Sequence, residues 1–135
     1  LNRGDLPLAL REDAGVVLEA RVEARDAHGL LTLHTVAGAL HAHGPAHPPG
    51  TPLRLRVQAR DVSLALSAPD GTSILNILPA TVAQMAEESP GQLIVALDAG
   101  PTRLLARVTQ RSARALALAP GQSVFAQVKG VAIVG

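Results

Sequence analysis

The chain has no cysteine, no tryptophan and no tyrosine, and Phe125 is its single phenylalanine. Without cysteine there is no disulfide framework, no thiolate metal site and no cysteine nucleophile. Single-stranded nucleic acids are usually gripped by aromatic stacking platforms, which this composition cannot supply. Charge of one sign is also lacking. Twelve Lys and Arg stand against eleven Asp and Glu, a formal charge of +1, so no excess is left to hold a polyanion. No apolar run approaches the ~20 residues that span a bilayer. Neither a GxxxxGK[ST] phosphate loop nor a GxSxG nucleophile motif occurs, and no catalytic set emerges.

What remains is aliphatic. Hydrophobic residues make up 47% of 135, so the core is built from Leu, Val, Ile and Ala. That length fits one ordinary domain or two very small ones. Twelve Gly and ten Pro argue for many short elements. The chain starts at Leu1 rather than Met, with no charged-then-apolar segment behind it. It reads as a piece of a longer, intracellular protein.

Hydrophobic alternation at period two predicts strands along most of the chain. Val16, Leu18, Ala20, Val22 and Ala24 form one phase, Val17, Glu19, Arg21, Glu23 and Arg25 the other. Further strands are expected at Leu30 to His34, Ala39 to His43 and Leu53 to Arg60, the last continuing through Val62 to Leu66. Gly44 to Gly50 holds three prolines and cannot be regular structure. Pro69-Asp70-Gly71 is a turn, and a boundary is placed there. Beyond it, strands are expected at Asn76 to Met85, with Pro79 at an edge or bend, at Gly91 to Leu97 and at Leu104 to Val108. Glu87 to Gly91 reads as a polar hairpin loop. Thr109 to Leu118 is rich in helix formers, with Thr109 or Ser112 as cap and Pro120-Gly121 as the stop. Val124 to Val128 and Val131 to Val134 close the chain.

The two parts resemble each other. Pro49-Gly50-Thr51-Pro52-Leu53 matches Pro120-Gly121-Gln122-Ser123-Val124, and Ala20-Arg21-Val22 matches Ala80-Thr81-Val82. One small five-stranded unit is used twice, and only the second copy carries the helix. The expected fold is all-β: tandem OB-like five-stranded barrels with one short helix in the second barrel. Residues 1–14 are read as a joint to something upstream, 15–71 as the first subdomain and 72–135 as the second. Barrels of roughly 60–70 residues are marginally stable alone, so part of the apolar surplus is assigned to interfaces.

Fold alone gives no function, so a site must come from residues. An anion needs donors that are already oriented: hydroxyls, free backbone N–H groups and a cation. Thr109 and Ser112 stand at the helix start, Ser73 opens the second copy, and Lys129 precedes Gly130, whose missing side chain lets a ligand approach the backbone. The same residues also read as helix caps, a solvated strand residue and a bulge. The five histidines all lie between His28 and His47. His41 and His43 share a strand face at a spacing that suits a metal, but no carboxylate or thiol close in sequence completes a set. His28, His34 and His47 fall near turns or loop, and the segment is expected to respond mildly to pH.

Val57-Gln58-Ala59-Arg60-Asp61-Val62-Ser63-Leu64-Ala65-Leu66, followed by Thr72-Ser73-Ile74-Leu75-Asn76-Ile77-Leu78-Pro79-Ala80, resembles the C-terminal region of molybdate ABC importer ATP-binding subunits. The ending is similar to the Mop domain of molybdate-binding proteins: Val108-Thr109-Gln110-Arg111-Ser112, Ala119-Pro120-Gly121-Gln122, then Phe125 to Val131. The likeness over residues 15 to 48 is looser and of the TOBE type. The leader Leu6 to Gly15 resembles the joint behind the nucleotide-binding domain of these subunits.

The resemblance implies a tandem TOBE/Mop fold that forms a homodimer. It implies an upstream ATPase domain and a membrane permease as partners, with the module cytoplasmic and peripheral on the inner face of the membrane. It carries no nucleic acid and does not insert into the membrane itself. It implies molybdate or tungstate as ligand, held at a subunit interface by residues at Ser73, Thr109, Ser112, Lys129 and Gly130. Mop domains usually carry Arg two residues after the first serine; here that position is Leu75. The expected role is non-catalytic: a regulatory oxyanion-binding and dimerisation module. A purely structural dimerisation domain and a stand-alone molybdate-binding storage protein are the alternatives.

Overall fold

In the computed structural model, residues 14–135 are described. The expected joint over residues 1–14 lies outside them, apart from Ala14. The order is β1 (Gly15–Arg25), β2 (Leu30–Thr35), β3 (Gly38–His43), β4 (Pro52–Gln58), a 3-10 turn (Ala59–Asp61) and β5 (Val62–Ala65). Then come β6 (Asn76–Ser89), β7 (Gln92–Ala99), β8 (Thr102–Thr109), α1 (Gln110–Ala115), β9 (Ser123–Val128) and β10 (Ala132–Ile133).

The strands form two five-stranded antiparallel sheets, in the orders β10-β4-β1-β2-β3 and β5-β9-β6-β7-β8. The all-β architecture with one short helix is therefore present. Each half lends its last strand to the other's sheet. β10 adds to the edge of β4, with Ala132 opposite Arg56, and β5 adds to β9, with Val62 opposite Val128. The expected run from Leu53 to Leu66 is thus two strands in two sheets. The 3-10 turn between them swings the chain across and buries Ala59 completely.

Alternation places the core. Leu18, Ala20 and Val22 are buried while Val17, Glu19 and Arg21 are exposed. Ala24 breaks the phase, because a bulge between Val22 and Ala24 shifts the pairing with β2. The buried faces of both sheets meet in one continuous cluster that includes Leu31, Leu33, Leu40 and Leu55 from the first half and Val82, Val95, Leu97 and Leu104 from the second. Burying a leucine of this kind contributes roughly 1.5–3 kcal/mol, so the halves stabilise each other. β7 is buried on both faces: Ile94 and Ala96 turn away from that cluster to meet Ala14, Ala59, Ala86 and Leu105.

The internal repeat extends to the backbone. Val22 N–H donates to Thr51 C=O at 2.9 Å, and Gly50 N–H to Val22 C=O at 2.7 Å. In the second half Val82 N–H donates to Gln122 C=O at 2.9 Å, and Gly121 N–H to Val82 C=O at 2.7 Å. Both valines sit at a strand bulge. Pro79 lies in the part of β6 that pairs with β9 alone, since pairing with β7 begins at Thr81.

Two boundaries differ from expectation by more than two residues. β6 runs on to Ser89, so the predicted loop shrinks to Pro90-Gly91. The helix stops at Ala115, because Ala117 adopts a left-handed φ of 51°. Ala117 N–H then bonds Arg114 C=O, and Leu118 N–H bonds Ala113 C=O, which satisfies the last carbonyls and turns Leu118 onto the core.

Candidate functional site

The five expected site residues occupy two separate clefts. Ser73, Lys129 and Gly130 line a cleft of about 470 Å³. Thr109 and Ser112 line another of about 380 Å³, together with Ser63, Leu64 and Arg107. The two share no lining residue.

The first cleft forms where the halves meet. Ser73 and Leu75 lead into β6, and Lys129 and Gly130 link β9 to β10. The Lys129 N–H donates to Asp61 C=O at 2.7 Å, so the exchanged 3-10 turn fixes this link. The Lys129 side chain is exposed. Gly130 is closely approached: a Cβ there would lie 3.2 Å from Asp61 Oδ2, so the Asp61 carboxylate would have to shift by a few tenths of an ångström. Leu75 is 60% exposed on the same cleft as Ser73, and its apolar side chain offers no donor.

Sequence reasoning missed Asn76 at the back of this cleft. It is 6% exposed and bonds the backbone of His41 through both ends of its amide. The signal was available: Asn76 shares the inward phase of Leu78, Ala80 and Val82, and a polar group there must find partners. His41 and His43 line the same cleft from β3. Among the described residues no group of three His, Cys, Asp or Glu is placed to hold a metal ion.

The second cleft is organised by the helix cap. Thr109 is extended, and its Oγ1 accepts from Ser112 N–H at 3.0 Å. The Thr109 hydroxyl also donates to Ser112 Oγ at 3.0 Å. The two hydroxyls share one hydrogen bond, so one hydroxyl proton of the pair is not used within it. The helix-cap reading of these two residues is therefore present in the structure. Arg107, on the wall, is clamped by Glu88 through bonds of 2.7 and 2.6 Å.

Elsewhere, the Asp26 carboxyl is held below the usual carboxylate range, first by the Leu30 N–H, then by the His28 N–H, with the His28 and His43 rings adding to the effect.

This two-sheet arrangement with an exchanged strand in each half is the OB-like Mop fold. A crystal structure of the cytoplasmic molybdate-binding protein ModG, with molybdate bound, superposes with a TM-score of 0.77 over 87% of this chain and 94% of that one, at 24% identity. Residues 72–134 match the TOBE domain family. Over its full length the chain is 50% identical to the molybdenum import ATP-binding protein ModC of Albidiferax ferrireducens and 50% identical to that of Thiobacillus denitrificans. It is 49% identical over 99% of its length to the ModC protein of Pseudomonas aeruginosa. The chain spans 37–38% of the length of these relatives. The resemblance to the TOBE/Mop region of molybdate importer ATP-binding subunits is borne out.

Proposed function

We propose that this segment is the oxyanion-binding regulatory and dimerisation module of a molybdate importer ATPase subunit, itself without a catalytic role. An ATPase domain and a membrane permease as partners, and a position on the inner face of the membrane, are part of this reading; the relatives, named as molybdenum import ATP-binding proteins, support it. No helix among the described residues is long and apolar enough to cross a membrane.

One observation carries the reading. The donor residues fall into two groups on separate clefts, each incomplete: Ser73, Lys129 and Gly130 on one, Thr109 and Ser112 on the other. A second copy, docked so that one copy's first cleft meets the other's second, brings the five together around a tetrahedral dianion such as molybdate or tungstate. Discrimination against sulfate then rests on pocket size and donor count, since the charges are equal. Calorimetry on the purified chain is expected to show molybdate binding that Lys129→Ala or Ser112→Ala weakens at least about tenfold, the loss of one charge-assisted hydrogen bond.

Leu75 favours a second reading. With no cation at that position, the module acts as a purely structural dimerisation domain. A dimer that gives no heat with millimolar molybdate supports this reading and removes the first.

A further inference from the structure

The cleft bounded by Ser73 and Lys129 has a second wall, contributed by the first half. Leu40 and Ala42 take the buried phase of β3, which leaves His41 and His43 together on the other face, lining the cleft. His41 is fixed from two directions. Asn76 holds its backbone N–H and C=O, and its Nδ1 lies 3.3 Å from Thr32 Oγ1. Protonation of an imidazole makes both of its nitrogens donors.

The charges around these rings nearly cancel. Lys129 lines the cleft, and the Asp61 carboxylate lies directly behind Gly130. At the β1–β2 turn the His28 and His43 rings help hold the Asp26 carboxyl low, after its bonds from the Leu30 and His28 N–H groups, and Arg25 reaches to within 3.3 Å of the Cβ position of Gly29. The charged neighbours thus number two permanent cations, Arg25 and Lys129, and two carboxylates, Asp26 and Asp61. From β2 the neighbours are the uncharged Leu30 and Thr32, and from the segment entering β6 they are Ser73, Leu75 and Asn76. The groups able to make the cleft positive are the imidazoles, which ordinarily change charge between pH 5 and 8.

We propose that His41 and His43 are ligands of the anion held by Ser73 and Lys129, and that their protonation gates this site. The imidazolium rings supply, from the first half, the charged donors that Leu75 does not. This rests on the oxyanion reading above and adds to it a dependence on pH: affinity is high when the rings are charged and falls as pH rises through their range.

The test is calorimetry with molybdate on the full chain at about pH 6 and about pH 8, in buffers of different ionisation heat. A linked proton can change affinity by up to about tenfold per pH unit. The wild-type protein is expected to bind at least about fivefold tighter at the lower pH and to take up protons on binding. The double variant His41→Gln/His43→Gln loses both the slope and the proton uptake, while its thermal melt shows that it still folds. His34→Gln, whose ring lines a different cleft, keeps both. Binding in the wild type without a pH slope, or a slope that survives in the double variant, overturns this proposal and leaves the oxyanion reading standing. No heat at either pH overturns both.

Discussion

The amide side chain of Asn76 takes both backbone groups of His41: Oδ1 accepts from the His41 N–H at 2.7 Å, and Nδ2 donates to its C=O at 2.9 Å. The pair acts as a rung between β6 and β3, which share no ladder, and ties the two halves together beside the first cleft. Asn76→Leu leaves two poorly solvated backbone groups without partners, each costing about 1–3 kcal/mol. Urea unfolding is expected to show a loss of about 2–4 kcal/mol. Asn76→Asp keeps the acceptor but sets a carboxylate against the His41 carbonyl. Burial and that repulsion raise its pKa, so its stability is retained in acid and lost as pH rises through the raised value. A variant no less stable at neutral pH than at pH 4 contradicts this.

Leu75 stands beside Ser73 with most of its surface exposed. Leu75→Arg adds a guanidinium at the rim of the first cleft. A charged hydrogen bond contributes about 1.5–3 kcal/mol, so molybdate affinity is expected to rise roughly ten- to a hundredfold. An unchanged affinity places the anion elsewhere.

Gly100 joins the β7–β8 turn of one half to the β2–β3 turn of the other. Its φ is +61°, and a Cβ there would lie 3.0 Å from the Val36 carbonyl oxygen. Gly100→Ala therefore adds a backbone clash to the left-handed penalty and is expected to cost about 1–3 kcal/mol. Gly50, at φ +89° with nothing within 4 Å, carries the conformational penalty alone and should cost less as alanine. The reverse change tests the helix end: Ala117→Gly relieves a left-handed alanine and is expected to gain about 0.5–1 kcal/mol.

Asp26 accepts from the His28 and Leu30 N–H groups at 2.8 and 3.0 Å, and its pKa lies below the ordinary 3.8. A depressed carboxylate stabilises the fold above its unfolded pKa, and the contribution is lost as pH falls through the folded value. Asp26→Ala is expected to melt lower than wild type at neutral pH and to match it near pH 2. An equal deficit at both pH values assigns the effect to packing.

Much of the fold was legible because alternation is a local property. The phase of Val16 to Val22 predicted which residues of β1 are buried, and the Pro-Gly pairs at 49–50 and 120–121 revealed the repeat. The exchange of β5 and β10 was not legible, since the phase of Val62 to Leu66 says which face is buried and nothing about which strand lies alongside. The helix end escaped for a related reason: residues 115–118 are all Ala or Leu, and it is the capping bonds to Arg114 and Ala113 and the packing of Leu118 on the core that accompany the left-handed Ala117. The candidate site residues were legible as types, but their separation into two clefts depends on tertiary position. Asn76 and the two histidines needed the contact between halves, because β3 and β6 are more than thirty residues apart in sequence.

The most direct test of the account is complementation between two defective variants. On the proposed reading Lys129→Ala damages one half-site and Ser112→Ala the other, so each variant alone is expected to bind molybdate poorly. If the site is completed between copies, each mixed dimer holds one doubly damaged site and one intact site. A random equimolar mixture, unfolded and refolded together, then regains about one quarter of the wild-type sites at wild-type affinity, as counted by calorimetry. A mixture that binds no better than its two components contradicts a site shared between two chains.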